Sequence, residues 1–244
     1  MSAFLAVYLR ELLILRRRLK KHFAAMAVSP LLYMLTFGCA LGGGLDLGGR
    51  RYIEFLLPGL AAMASMTQAF GIASEINIAR FYTAIFEEIQ ASPAGRTAYA
   101  LGEVAAALTR MLLGCAVIVL LGMLFGVHLR CGPLFWLAAI LNGFAFASLA
   151  VALAMAIRSH ADQGLLGNFV ITPMAFLGGT FFPVDSLPDW ARHPLSLLPL
   201  THASRAMRAV ALGESPPVAS FVILACFGAA FFLFALYAVG KARD

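Results

Sequence analysis

Long apolar runs separated by short polar connections follow one another along this chain. Six of these runs have roughly the 20 residues that a helix needs to cross the ~30 Å hydrocarbon core of a bilayer. They cover residues 23–45, 55–77, 103–127, 133–157, 164–182 and 217–240. The fifth run contains Pro173 and the Gly178-Gly179 pair, so we expect it to be irregular near its end. The pattern predicts an all-α integral membrane protein with six transmembrane helices.

The residues ahead of the first run form a basic amphipathic pattern over residues 1–22. Six apolar residues share one side of a helical wheel, and most of the cations lie away from them. The apolar residues are Phe4, Leu5, Tyr8, Leu12, Leu15 and Leu19, and the cations are Arg16, Arg17, Arg18, Lys20 and Lys21. This chemistry suits a helix on an anionic lipid surface, and a topology signal has the same pattern. We expect a cytoplasmic interface helix over residues 1–22 and a six-span domain over residues 23–244, with the first span retained rather than cleaved.

A polar stretch between the second and third runs, residues 80–94, has a different character. At about 100° per residue, its apolar side chains fall within about 140° of a helical wheel, and Glu87 lies on the far side. The apolar residues are Phe81, Tyr82, Ile85, Phe86 and Ile89. Pro93 cannot continue a helix, so the helix should end near Ser92. An interfacial helix is one interpretation, but anionic lipids would repel Glu87 and Glu88, and a protein partner fits better.

The connection ahead of the last run, residues 183–216, is too polar to span a membrane and too apolar for a solvated loop. Thr201 can cap a helix over residues 202–212, and Gly213 stands where helices commonly stop. Arg205 and Arg208 fall on the polar face, so we expect them to point to headgroups or water, with Trp190 as an interfacial anchor. The pattern predicts an external re-entrant or interfacial helical segment. Two roles are open for it: a cap that closes the bundle, and an exit gate for a lipidic or amphipathic substrate.

Composition and charge agree with this interpretation. The chain is 61% hydrophobic and 12% charged, which leaves too little polar surface for a water-soluble globule of 244 residues. With the six spans above, twelve of the 18 Lys and Arg residues fall on the side of the N-terminus and six on the other. Because cations are retained on the cytoplasmic side, both termini should be cytoplasmic. Residues 80–94 would then face the cytoplasm and residues 183–216 the exterior.

Residue types that carry catalysis or bind metals are scattered along the sequence. The four cysteines and five histidines show no zinc-ligand spacing. The glycine-rich stretch GGGLDLGGRR, residues 42–51, lacks the lysine and hydroxyl of a phosphate-binding loop. We therefore expect no catalytic or metal site, no cofactor in this chain and no nucleic-acid partner.

Four stretches, in this order, resemble the permease subunits of ABC type-2 transporters. They are YIEFLLPGLAAM (residues 52–63), IFEEIQASPAGRTAYALGE (85–103), GGTFFPVDSLPDW (178–190) and LLPLTHASRAMRAVALG (197–213). The resemblance covers almost the whole chain and looks closest to the branch that includes nodulation-factor and other glycan or lipid-linked exporters. One departure is that Glu75 and Arg80 stand where the family usually has an acidic-basic-acidic run ahead of the helix between spans two and three.

The resemblance implies a subunit of an ATP-driven exporter in the plasma (inner) membrane. Two permease chains, expected to be identical copies, and two cytoplasmic ATPase subunits that bind ATP and Mg²⁺ would surround a path for an amphipathic, glycan, lipid-linked or drug-like substrate. Residues 80–94 would be the coupling helix that docks on the ATPase, through Phe81, Ile85, Glu87, Glu88, Ile89, Ser92 and Pro93. Spans two and five would border the path, with candidate gate or path residues Gln68, Glu75, Phe176, Phe181 and Phe182.

Two other function classes stay open at this point. One is an ATP-independent transporter or channel, and the other is a structural membrane subunit. Inverted repeats or ionisable residues near mid-membrane would favour the first class, and we find neither in the sequence.

Overall fold

Helices account for all regular structure in the part of the chain that the computed structural model describes, residues 2–40, 51–83, 85–92, 94–157 and 159–242. The α-helices in these ranges are α1 (Ala3–Tyr33), α2 (Tyr52–Phe70), α3 (Ile72–Phe81), α4 (Ile85–Ala91), α5 (Arg96–Leu124), α6 (Pro133–Ala156), α7 (His160–Leu166), α8 (Thr172–Leu177), α9 (Asp189–Ser196), α10 (Pro199–Ala211) and α11 (Val218–Lys241). A π-helical stretch, Met34–Ala40, extends α1, a second one, Gly167–Ile171, joins α7 to α8, and a 3₁₀ turn covers Val184–Ser186.

Four helical segments in the described ranges are long and apolar enough to cross a membrane. They are Tyr52–Phe81, which comprises α2 and α3, then Arg96–Leu124, Pro133–Ala156 and Val218–Lys241. These segments coincide with the second, third, fourth and sixth predicted spans, which confirms the all-helical class for the described residues and four candidate membrane-spanning helices. The total of six spans stays a prediction.

The first predicted span and the predicted N-terminal helix form one continuous helix in the structure. No Gly or Pro stands between Met1 and Val28, and the basic run consists of good helix formers, so nothing interrupts α1 at residue 22. The face that packs on α5 includes Val7, Glu11 and Leu15, whereas Leu5, predicted on the apolar side, is exposed. Residues 41–45 at the end of the predicted span lie outside the described residues.

The fifth predicted span is divided into α7, the π-helical stretch and α8. Thr172 donates a hydrogen bond from Oγ1 to the carbonyl oxygen of Gly167, 3.1 Å away, across the widened turn. The helix ends at Leu177, and Gly179 then adopts a φ of +74°, a conformation that favours glycine. The irregularity predicted for the end of this run is thus present, and the widened turn in its middle was not predicted.

The helix pair α2–α3 forms the centre of the bundle. Its most apolar 18-residue stretch is 83% buried, against 28% for the corresponding stretch of α11. Helices α5, α6 and α10 pack around α2, and α11 packs on the outer side of α6. The connections gather at two ends of the bundle. We call the end with α4, the start of α5 and the end of α6 the α4 end, and the end with α9, α10 and the start of α2 the α10 end.

Candidate functional site

The stretch predicted as one coupling helix, residues 80–94, is divided by a turn. Helix α3 continues through Phe81, the chain turns at Tyr82 and Thr83, and α4 begins at Ile85. The turn forms because the backbone N–H of Thr83 donates to the carbonyl oxygen of Ile78 at 3.2 Å, which closes the end of α3. Ser92 closes α4 by donating from Oγ to the carbonyl oxygen of Ile89 at 2.6 Å. Pro93, predicted to end this helix, lies outside the described residues.

Helix α4 is fixed to the bundle by Phe86. Its side chain is buried, and its ring meets the ring of Tyr99 on α5 edge to face, with 5.5 Å between the centroids. The guanidinium of Arg80 lies 5.6 Å from the Phe86 centroid and 5.0 Å from that of Phe81. Burial of an aromatic side chain together with these contacts orients the helix.

The other predicted coupling residues lie around the outer surface of α4. Glu87, Glu88 and Ser92 are exposed, and Ile85 and Ile89 are half-buried. Phe81 and Tyr82 are 40% and 70% exposed, although the helical wheel placed them on one apolar face with Phe86. The intervening turn rotates them outward.

The start of α1 forms a common surface with α4, which the sequence did not predict. A groove of about 580 Å³ runs between the two helices. Its lining includes Ala3, Ala6, Val7 and Arg10 from α1 and Ile85, Glu88, Ile89, Ser92 and Ala94 from the α4 side. The four α1 residues stand at spacings of three and four, so a search for a second helical face in residues 1–22 would have found them.

Four charged residues form a cluster that links α1, α5 and α3. Arg110 on α5 lies 3.8 Å from the Glu11 carboxylate and 3.4 Å from that of Glu75, and Arg10 lies 2.9 Å from Glu11. Glu11 and Arg110 are almost fully buried, at 2% and 5% exposure. Burial raises the pKa of the Glu11 carboxyl, although Arg10 and Arg110 act in the opposite direction. Glu75, a candidate gate residue, therefore belongs to this cluster.

Gln68 and Phe176, two further candidate path residues, line one cavity of about 300 Å³ between α1, α2 and α8. Thr67, Ser29 and Tyr33 also line it. Its remaining walls are largely apolar. Small-molecule binding sites are commonly apolar cavities lined by a few polar groups, as this one is.

An aromatic cluster borders this cavity. Phe181 lies 5.2 Å from Phe176, 5.2 Å from Tyr33 and 5.0 Å from Phe37, measured between ring centroids. Phe182 is half-buried next to it in the chain. The structure thus brings Gln68, Phe176 and Phe181 into one region and places Glu75 elsewhere.

Arg208 occupies a different place from the one predicted for it. Its guanidinium lies 3.7 Å from the Phe55 ring centroid and donates to the carbonyl oxygens of Phe55, at 3.2 Å, and Gly179, at 2.7 Å. Burial lowers its pKa to about 10. A cation beside two backbone carbonyls at the bend after α8 serves to hold that bend against α2. The sequence contained no indication that α2 would face it.

The rest of the α10 end agrees in part with the predictions. Helix α10 begins at Pro199 rather than His202, because proline suits the first helical position, and Thr201 donates to the carbonyl oxygen of Leu195 instead of capping. Gly213 ends the helix with a φ of +75°, as predicted. Arg205 forms an ion pair of 2.7 Å with Asp185 at the surface.

The remaining residues predicted at the membrane surface are exposed. Trp190 is 80% exposed on α9. The exposed basic residues of α1 are Arg16, Arg17, Arg18, Lys20 and Lys21. Side chains of this kind at a helix surface can reach lipid headgroups.

The sequence is similar to one protein family and to several known transport proteins. A family model described as ABC-2 type transporter matches residues 2–212. Nodulation protein J of Rhizobium meliloti (strain 1021) is 31% identical over 216 residues, which cover 86% of this chain and 82% of that protein. Inner membrane transport permease YadH of Escherichia coli (strain K12) is 26% identical over 232 residues, or 88% and 86% of the two chains. Daunorubicin resistance ABC transporter permease protein DrrB1 of Streptomyces coeruleorubidus is 23% identical over 203 residues, or 80% and 71%.

Proposed function

The chain belongs to the ABC-2 type transporter family, and from this premise we propose that it is the permease subunit of an ATP-driven exporter, coupled through α4 to a separate ATPase. The family makes the chain a transport permease and not itself an enzyme. The ATPase contact, the direction of transport and the class of substrate are the substance of the proposal.

The observation that carries the proposal is the orientation of α4. Phe86 is buried in the bundle, whereas Glu87 and Glu88 are exposed, as are the aromatic side chains of Phe81 and Tyr82 ahead of the helix. Anionic lipid would repel this acidic surface. A protein surface that combines cations with an apolar pocket would be complementary to it.

The groove between α1 and α4 extends this docking surface. The start of α1 contributes Arg10, and α4 contributes Glu88, so a partner seated there would meet both charges as well as the apolar walls. We propose that the ATPase contacts the first turns of α1 together with α4. Movement of the ATPase would then act on both helices.

Energy would come from the partner. The sequence lacks a phosphate-binding loop, so ATP and Mg²⁺ would bind to the ATPase subunits. Two ATPase subunits and a second copy of this chain would complete the transporter. Closure of the ATPase pair would displace α4, and the helices on both sides of α4 would tilt as rigid bodies.

The substrate path would run past the cavity between α1, α2 and α8. The amide of Gln68 and the hydroxyl of Thr67 offer hydrogen bonds there, and the ring of Phe176 offers an apolar surface. Such a lining suits an amphipathic molecule, including glycan, lipid-linked and drug-like compounds. The daunorubicin resistance permease among the relatives supports a substrate of this kind. The aromatic cluster around Phe181 would act as the gate toward the exterior.

The inner membrane is the proposed location, with both termini and α4 in the cytoplasm. The relative YadH is an inner membrane permease. The distribution of Lys and Arg supports the orientation.

Co-purification of the chain with a candidate ABC ATPase subunit tests the proposal. We expect the wild-type pair to associate, and the variant Glu87→Gln/Glu88→Gln/Ile89→Ala to bind the ATPase about 10-fold or more weakly. The control is Asp189→Asn, which neutralises an exposed acid at the α10 end. Unchanged association and unchanged ATP-dependent export in the triple variant would refute the assigned contact.

A further inference from the structure

Arg80 lies where three parts of the α4 end meet. Its Nη1 donates to the carbonyl oxygen of Ala154 and lies 3.4 Å from the carbonyl oxygen of Ile157. Its Cζ lies 5.0 Å from the ring centroid of Phe81 and 5.6 Å from that of Phe86. One side chain therefore contacts the end of α6, its own helix α3 and the helix α4.

The carbonyls that Arg80 approaches stand at the C-terminal end of α6, which closes at Ala156. The last four carbonyls of an α-helix have no partner within the helix, and they form the negative end of its dipole. Ala154 is fully buried, so water has little access to this position. A guanidinium is well suited to these carbonyls, because it carries a positive charge and several donors.

The contact with Phe86 gives the same guanidinium a hold on α4. A helix of seven residues is too short to be stable by itself. The position of α4 therefore depends on the contacts of its buried residue, Phe86. Phe86 has two such contacts among those described above: the ring of Tyr99 on α5, and the cation of Arg80, which leads to α6.

A second contact continues the connection beyond α6. Asn77, one turn before Arg80 on α3, donates from Nδ2 to Oε1 of Gln163 on α7 at 3.3 Å, and both side chains are buried. The end of α3 thus touches α4, α6 and the first helix of the fifth predicted span.

We propose that Arg80 is a positioning residue that fixes α4 to the end of α6, so that a displacement of α4 also moves the end of α6 and the start of α7. That an ATPase displaces α4 rests on the proposed function. The connection from α4 through Arg80 to α6 does not depend on it, so either proposal can fail while the other stands.

The link is tested first in the purified permease alone, by pulsed electron spin resonance between introduced cysteines in a chain whose natural cysteines are replaced by alanine. The reporting pair is Ala91→Cys/Ala156→Cys, two exposed positions at the ends of α4 and α6. The control pair is Ala91→Cys/Leu101→Cys, which measures α4 against α5. We expect Arg80→Met to raise the displaced population of the reporting pair about 10-fold and to leave the control pair as in the wild type. Arg80→Lys, which keeps the charge but loses the planar fork, should lie in between.

Two results would overturn the inference. One is a reporting pair with the same distance distribution in Arg80→Met as in the wild type. The other is equal broadening of both pairs, which would mean that Arg80 supports the packing of this end in general. If Arg80→Met does not fold, Arg80→Lys is used in its place, since it leaves the contact between Phe86 and Tyr99 intact, and broadening of the reporting pair alone is again required.

The second measurement uses the complete complex with its ATPase. A pair at Leu120→Cys on α5 and Ala156→Cys should change its distance when a non-hydrolysable ATP analogue binds, and Arg80→Met should abolish this change while the ATPase stays bound. A change that survives in Arg80→Met overturns the proposed role. Failure of the wild-type permease to bind the ATPase refutes the proposed function instead, and the measurement on the isolated permease still decides on the link.

Discussion

At the α10 end, hydrogen bonds to backbone carbonyls tie the bend after α8 to the surrounding helices, whereas at the α4 end the short helix α4 is held chiefly through the ring of Phe86. The carbonyl bonds come from Arg208, Tyr52 and Ser204 and end on Phe55, Gly179, Phe181 and Gly178. Hydrogen bonds of this kind lose most of their energy after a small displacement, because they depend on distance and angle. Contacts between ring faces, edges and cations tolerate more sliding. The difference indicates an α10 end adapted to keep one arrangement and an α4 end adapted to transmit movement.

The largest effect on this comparison is expected from Arg208→Met. The substitution keeps apolar length but leaves two backbone carbonyls without their charged donor, at a cost of about 2–4 kcal/mol. We expect thermal unfolding of the detergent-solubilised permease to shift down by roughly 5–15 °C. Arg205→Met, which removes a surface ion pair, is the control and should cost about 0–1 kcal/mol. Equal shifts for the two variants would contradict the structural role of Arg208.

Tyr52→Phe should have a smaller effect at the same end. The hydroxyl of Tyr52 donates to the carbonyl oxygen of Phe181 at 2.5 Å, and its removal should cost about 1 kcal/mol, or roughly 2–4 °C. Tyr237→Phe, at an exposed position on α11, is the matched control. A shift no larger than that of the control would show that this bond does not hold the bend.

Acid should loosen the α10 end through His202. Its Nε2 lies 2.8 Å from the carbonyl oxygen of Ser196 and its Nδ1 lies 3.4 Å from Oγ of Ser220. Burial lowers the pKa of His202 and outweighs the opposing effect of the Ser196 carbonyl, so the folded chain binds this proton less readily than the unfolded chain. The contribution of neutral His202 to the free energy of unfolding is fully present above its pKa in the unfolded chain, about 6.5. It is lost as the pH falls through its lowered pKa in the folded chain.

We therefore expect the stabilisation that His202 contributes, measured as the difference in unfolding temperature between the wild type and His202→Gln, to shrink as the pH falls from about 7.5 to about 5.5, by less than the Tyr52→Phe effect. An identical pH dependence in the wild type and the variant would contradict this assignment.

The smallest global effect is expected from Phe86→Ala. Loss of the ring should free α4 and accelerate hydrogen exchange of residues 85–91, while the unfolding temperature changes by only about 1 °C, because α4 lies at the edge of the bundle. Phe81→Ala, which truncates a more exposed ring on α3, serves as the control. If Phe86→Ala lowered the unfolding temperature as much as Arg208→Met, the two ends would not differ as we infer.

The sequence alone predicted the helical class and six membrane spans, of which four coincide with helices long and apolar enough to cross a membrane, because a 20-residue apolar run has few alternatives to a helix in lipid. Gly213 as a helix end was also predictable, since its local conformation favours glycine. Contacts between distant segments were not predictable. Arg208 was assigned to the surface because a helical wheel cannot show that Phe55 and Gly179 lie across from it. The division of residues 80–94 was missed because the apolar residues keep a helical spacing across the turn. The backbone bond from Thr83 to Ile78 that closes α3 leaves no mark in that spacing.

The candidate site was predicted only where local periodicity determines the position of a residue. The exposed positions of Glu87 and Glu88 follow from local periodicity. The link from Arg80 to Ala154, and the pairing of Glu11 with Arg110, join residues more than 70 positions apart. A single sequence holds no direct information on such pairs.

The unbroken course of α1 has a mechanical consequence. Its 31 residues give a rod of about 46 Å, some 16 Å longer than a hydrocarbon core of about 30 Å. If the C-terminal part of α1 crosses the bilayer, about the first ten residues project beyond the hydrocarbon core and act as a lever arm. The close contact between Val7 and Gly102 of α5 would be its pivot. A sideways force on the first turns of α1 would therefore tilt the whole helix and displace Tyr33 at its other end.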